Sequence, residues 1–164
     1  MFFNVVDIIT GELNSFFSHS YLIGVLFLFF IGATYTDIKS LKIYNKFNLA
    51  FLITRIVFIF IPVYGLSLSF SHIFGALIGF TVLIIPAVAL MHKMGGDIKF
   101  ITILGLYLGT PLMILLLLIS CITMLIFSLI KKLITKDEVK KTLVPFAPFF
   151  TISFSIMFII SLLI

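Results

Sequence analysis

The chain reads as a series of long apolar runs broken by short polar stretches. The first apolar run, 19–36, closes on Asp37 and is followed by Lys39, Lys42 and Lys46. A second run, 47–64, carries Arg55 near its middle, and Pro62, Gly65 and the serines through Ser71 then make a short uncharged turn. A third run, 73–91, ends at His92 and Lys93, and after Gly95 and Gly96 the run 98–109 begins. Beyond Gly109-Thr110-Pro111 the apolar pattern resumes as far as Ile130, a lysine-rich segment covers 131–142, and a last run, 143–164, is interrupted early by Pro145-Phe146-Ala147-Pro148. Ahead of all of these, 1–18 mixes Phe, Val and Ile with Asp7, Gly11 and Glu12 and holds no Lys or Arg; it reads as an amphipathic or loosely ordered lead-in on the outer face.

Runs approaching the ~20 residues needed to cross the hydrocarbon core predict transmembrane helices, which satisfy their own backbone polar groups in lipid. A membrane β-barrel would show short alternating segments, and none is visible. Composition agrees. Of 164 residues, 62% are hydrophobic and 10% charged, the mean hydropathy is +1.35, and a water-soluble domain would carry about 25% charged residues. The expected fold is an all-α integral membrane protein of one membrane-embedded domain, 19–164, preceded by the lead-in, 1–18.

The number of spans follows from charge. The twelve residues of 98–109 rise only ~18 Å as a helix, less than the core, so 98–130 is either one long helix kinked at Pro111 or two spans joined at Gly109-Thr110-Pro111. Of the eleven Lys and Arg, three follow the first run, Lys93 and Lys99 flank Asp97, and five lie between Lys131 and Lys141. With six spans and the N-terminus outside, these ten all face the cytoplasm; with five, the last lysines fall outside, against the positive-inside bias. Six spans are therefore expected, with Asp37 and Asp97 at one cytoplasmic face. The net charge of +5 reflects these loops beside apolar runs and sets membrane orientation; no nucleic-acid partner is expected. Cys121 is the single cysteine, so no internal disulfide and no paired-cysteine zinc site is expected. The N-terminus lacks the basic region and cleavage site of a signal peptide, so the chain is read as unprocessed.

Charged acids at a bilayer edge are costly and point to function when a partner exists. Taken singly, Asp37 reads as an interfacial span end, and Asp97, after Gly95 and Gly96, reads as a helix N-cap. Taken together they share one face, each followed two residues later by a lysine, Lys39 and Lys99. Glycines let backbone approach backbone closely, so Gly95 and Gly96 could bring Asp97 against another span or an extended substrate. Two carboxyls held in reach form an acid/base pair: one keeps its proton and polarises a carbonyl while the other takes a proton from water. Arg55 must face the bundle interior, water or a carboxylate, and a structural pairing is favoured over a role beside the aspartates or the substrate. Gly75 and Gly79, four residues apart, suggest close helix contact.

Three stretches then resemble the type IV prepilin peptidases and the related archaeal preflagellin peptidases. Asp37-Ile38-Lys39-Ser40-Leu41-Lys42-Ile43-Tyr44-Asn45 resembles the family's segment of an aspartate, a basic residue and Ile-Pro-Asn. Gly95-Gly96-Asp97-Ile98-Lys99-Phe100 resembles its G-x-G-D motif, with Met94 at the first glycine. Pro145-Phe146-Ala147-Pro148-Phe149 is similar to the Pro-Phe-Gly-Pro that opens the family's last helix. The resemblance runs from about Tyr21 to the C-terminus. It implies Asp37 and Asp97 as catalytic, Gly95, Gly96, Lys39 and Lys99 as supporting residues, and an aspartyl endopeptidase of the cytoplasmic membrane. The implied partner is a prepilin-like precursor whose short basic leader is cut from a hydrophobic segment. Nothing is long enough for the methyltransferase domain of some relatives, so a peptidase-only form without S-adenosylmethionine or zinc is expected. Alternatives are a presenilin-like intramembrane protease, whose Tyr-Asp pair is split here by Thr36, and a non-enzymatic transporter or assembly subunit using Asp37, Asp97 and Arg55 as a polar pathway. A catalytically inactive relative, its loop altered by Met94, is a further one.

Overall fold

A computed structural model describes residues 2–60, 69–89, 95–134 and 144–164. Within them the chain forms six helices: α1 Phe2–Phe17, α2 Ser20–Ser40, α3 Asn45–Phe60, α4 Phe70–Ala89, α5 Gly95–Ile134 and α6 Ala147–Leu163. Three are long and apolar enough to cross a membrane, over Ser20–Ser40, Phe70–Val88 and Gly95–Ile134, and α6 is a shorter apolar helix. The end of the expected second span, the residues around Met94 and most of the lysine-rich segment lie outside the described residues.

Each helix buries a stripe set by helical spacing. On α2 the stripe is Leu22, Leu26, Phe30, Ala33 and Asp37, which places the aspartate on the inward face at the helix end. Its N–H partner beyond the helix is Leu41, at φ 52°, whose backbone bonds Asp37 O and turns the chain sharply into α3. On α3 the stripe is Asn48, Phe51 and Arg55. The lead-in is an ordered amphipathic helix: α1 buries Leu13, Phe16 and Phe17 while Asp7 and Glu12 stay exposed, and the Phe17 ring meets Phe154 and Phe158 of α6.

In lipid, association depends on close packing and hydrogen bonds more than on expulsion of water, and α4 against α5 shows this. A Cβ on Gly75 would stand 2.7 Å from Gly105 O and 2.8 Å from the Gly109 carbonyl carbon. The site of a Cβ on Gly79 is bounded by both Ile101 O at 2.9 Å and the Met113 methyl at 2.7 Å. An unbroken helix would set residues 101 and 113 about 18 Å apart, so α5 turns back on itself. The break is Gly109, at φ 72° and ψ 176°, a left-handed backbone that favours glycine. Ser71 fastens it: its Oγ accepts the Thr110 N–H at 3.0 Å, and Thr110 Oγ1 donates to Ser71 O at 2.8 Å. The expected runs 98–109 and 111–130 are therefore the two arms of α5. The same corner starts α4 at Phe70, earlier than the expected 73, because Ser69 and His72 bond across its first turn.

Contacts also fix the directions. From α2 to α6 the pairs Asp37–Ala147, Thr34–Thr151 and Phe30–Phe154 run antiparallel. From α3 to the first arm of α5, Asn48–Gly96 and Arg55–Leu106 run parallel, and the second arm returns so that Phe127 meets Phe149. The C-terminal end of α2 and the N-terminal ends of α3, α5 and α6 thus share one end of the bundle. Lys39, Lys99, Lys131 and Lys132 stand at that end, and Gly109 and Ser71 stand at the other.

Candidate active site

Asp37 is 2% exposed, at the inner end of the α2 stripe. Its Oδ2 accepts the backbone N–H of Ala147 at 2.8 Å. Ala147 opens α6, whose first N–H groups have no partner within the helix, and a carboxylate satisfies one of them while meeting the positive end of the helix dipole.

Asp97 stands in the first turn of α5, half-buried, with Oδ1 buried and without a hydrogen-bond partner among the described residues. Asp37 and Asp97 come from different helices, α2 and α5, and the segment that follows α2 packs its Ile43 backbone against Gly96, the residue before Asp97. Asp97 lines a cleft of about 340 Å³, walled by residues 41–45, which follow α2, on one side and by Gly95, Gly96, Asp97 and Lys99 on the other; Asp37 is not among its lining residues.

The supporting glycines differ. A Cβ on Gly96 would collide with the backbone of Ile43, whereas one on Gly95 would meet nothing within 4 Å among the described residues. The close approach that the sequence suggested for the pair thus belongs to Gly96. Lys99 is exposed and donates from Nζ to Asn45 Oδ1 at 3.0 Å; Lys39 is exposed with its ammonium 5.7 Å from the centre of the Tyr35 ring. Met94, His92 and Lys93 lie outside the described residues.

Arg55 lies farther along the bundle, 1% exposed, donating from Nε to Leu106 O at 2.8 Å, with its guanidinium 5.5 Å from the centre of the Tyr107 ring. Tyr107 in turn donates to Phe51 O at 3.0 Å. These bonds tie α3 to α5, in line with the structural pairing favoured from the sequence. A residue beside the candidate site that sequence reasoning did not single out is Asn48, 3% exposed, which donates from Nδ2 to Gly96 O at 2.8 Å. Its signal was the seven-residue spacing to Arg55, which puts two polar side chains on one face of an apolar helix.

Beside the first cleft is a second of about 440 Å³, walled by Leu49, Leu52, Phe80, Ile98 and Ile103 and sharing Asn45 and Lys99 with it. Among the described residues no group of His, Cys, Asp and Glu is arranged to hold a metal ion.

A comparison with protein families matches residues 23–129, more than half of the chain, to the type IV leader peptidase family. The chain belongs to that family. Comparison with curated proteins and with solved structures gives no match. The matched region begins inside α2 and ends near the close of α5, so it includes both aspartates and both clefts, and it leaves out α1 and α6. Family membership makes the chain a leader-peptidase-like protease, and the apolar helices make it a multi-pass membrane protein. Within this leader peptidase, α6 nevertheless touches the site, because its first N–H holds Asp37.

Proposed function

We propose that this peptidase removes the short basic leader from prepilin-like precursors at the cytoplasmic face of the cell membrane, with Asp37 and Asp97 sharing the acid/base work. The observation that carries the reading is the pair itself: two acidic side chains on separate helices brought to one end of the bundle, with a cleft of about 340 Å³ lined by Asp97 and by the segment that follows α2. Water held between them loses a proton to one carboxyl as its oxygen attacks the scissile carbonyl carbon. The other carboxyl donates to the carbonyl oxygen. Collapse of the tetrahedral intermediate then breaks the C–N bond, with a proton passing to the leaving amine. Asp37, whose Oδ2 already accepts an N–H at a helix start, suits the proton-accepting role.

Two further features support the substrate and the membrane face. The apolar cleft adjoining Asp97 offers Leu49, Leu52, Phe80, Ile98 and Ile103 to the hydrophobic segment that follows a leader. The lysines at the aspartate end agree with that end facing the cytoplasm. In this reading the chain crosses the membrane six times, through α2, α3, α4, the two arms of α5, and α6, with the N-terminus outside.

The test is to co-express the chain with a prepilin-like precursor and read the new N-terminus by mass spectrometry. Cutting just ahead of the hydrophobic segment, lost in both Asp37→Asn and Asp97→Asn, is the expected result. Cutting inside the hydrophobic segment would instead favour the presenilin-like alternative. An intact precursor beside a well-folded enzyme would overturn the proposal.

A further inference from the structure

We infer that Asn48 is a positioning residue that aims Asp97, an inference resting on the peptidase reading given above. Asp97 Oδ1 has no hydrogen-bond partner among the described residues, so among them what directs the carboxyl is the way the backbone beneath it is held. That backbone is gripped at Gly96. On one side the amide of Asn48 donates to Gly96 O at 2.8 Å; on another the Ile43 backbone fills the space a Cβ would need. A third tie, Lys99 Nζ to Asn45 Oδ1 at 3.0 Å, closes the first turn of α5 onto the first turn of α3. All three holding residues, Ile43, Asn45 and Asn48, lie just beyond Asp37 in the chain. The segment that leaves one aspartate thus fixes the other.

Energetics separates this role from a structural one. Asn48 is 3% exposed, and its Oδ1 is buried without a partner among the described residues. An orphaned buried acceptor costs about 1–3 kcal/mol. Gly96 O belongs to the first turn of α5 and has the helix's own N–H available as well, so removing the Asn48 donor leaves no new orphan. For stability alone, a leucine at 48 would serve as well or better. The amide is explained by where it holds Gly96, one residue before Asp97.

The test compares Asn48→Leu, Asn48→Asp and Asn48→Gln in the full-length enzyme, measuring kcat, KM and the thermal unfolding midpoint in detergent on a prepilin-like substrate. Leucine removes the amide, aspartate keeps its shape without the donor, and glutamine keeps the donor on a longer arm. Misplacement of a reacting group by about 1 Å is worth up to about a hundred-fold. Asn48→Leu is expected to lower kcat by at least about ten-fold while KM stays within about two-fold, and its unfolding midpoint is expected to equal or exceed that of the parent. Asn48→Gln should recover most of the loss and Asn48→Asp none. The inference is overturned if Asn48→Leu keeps the parent kcat, or if kcat falls only in step with the unfolding midpoint. If Asn48→Leu does not fold, the aspartate and glutamine variants decide, and equal kcat in both overturns it. A parent enzyme that cuts while Asn48 variants are unaffected defeats this inference alone; a parent that cuts no precursor defeats the peptidase reading and this inference with it.

Discussion

The Asp37 carboxylate holds the backbone N–H of Ala147 at 2.8 Å across 110 residues of sequence. The residue proposed to activate water therefore also fastens the start of α6 to the end of α2, and catalytic and structural effects at position 37 separate by choice of substitution. Asn keeps an acceptor oxygen for Ala147 and Ala does not. Leader removal is expected to fall by at least about a hundred-fold in Asp37→Asn, Asp37→Ala and Asp97→Asn, the scale of a lost general acid or base. Only Asp37→Ala should also lose about 1 kcal/mol of stability, as for a deleted helix cap. Cleavage kinetics and thermal unfolding of the three variants, run together, check both halves.

The two glycines ahead of Asp97 should respond differently. Among the described residues nothing lies within 4 Å of a Cβ on Gly95, whereas a Cβ on Gly96 meets the Ile43 backbone, which cannot swing aside as a side chain would. Gly95→Ala is expected to keep kcat within about two-fold, as for a change of a few tenths of a kcal/mol. Gly96→Ala should displace the first turn of α5 and reduce kcat by roughly ten- to a hundred-fold. Equal activity in the two variants would contradict the close approach of α5 to the α2–α3 connection.

The α4–α5 contact makes a prediction about stability. The Cβ of a residue replacing Gly105 would fall on the Gly75 carbonyl, and the facing backbones would have to part. Gly105→Val should cost about 1–3 kcal/mol or more, the range for overpacking. Gly24→Ala on α2, where nothing lies within 4 Å, serves as the control and should leave the unfolding midpoint unchanged. Thermal unfolding in detergent reads both.

Arg55 is a tie between α3 and α5 in this structure, through Leu106 O at 2.8 Å and the Tyr107 ring. Arg55→Met keeps the aliphatic body and removes the charged donor. It should cost about 1.5–3 kcal/mol, the range for a hydrogen bond from a charged group, while kcat of the folded fraction stays near the parent value. A large fall in kcat with unchanged stability would move Arg55 into the reaction and reopen the polar-pathway alternative.

The sequence alone determined the class of the protein, the apolar runs and the turn at Gly109-Thr110-Pro111, and it singled out the two aspartates as the candidates for chemistry. These are local or compositional: apolar length is legible because a helix must cross a fixed thickness, a chain reversal because glycine and proline restrict backbone in known ways, and a charged acid among apolar residues because lipid tolerates few. Tertiary structure alone decided that α6 supplies Asp37 with its N–H, that Gly96 and not Gly95 makes the close approach, that Arg55 reaches Leu106 O, and that Asn48 grips the residue before Asp97. Each of these depends on which face of one helix meets which face of another. In lipid that choice rests on fitting small residues and matching buried donors to acceptors, and it joins residues tens of positions apart that carry no mark of one another along the chain.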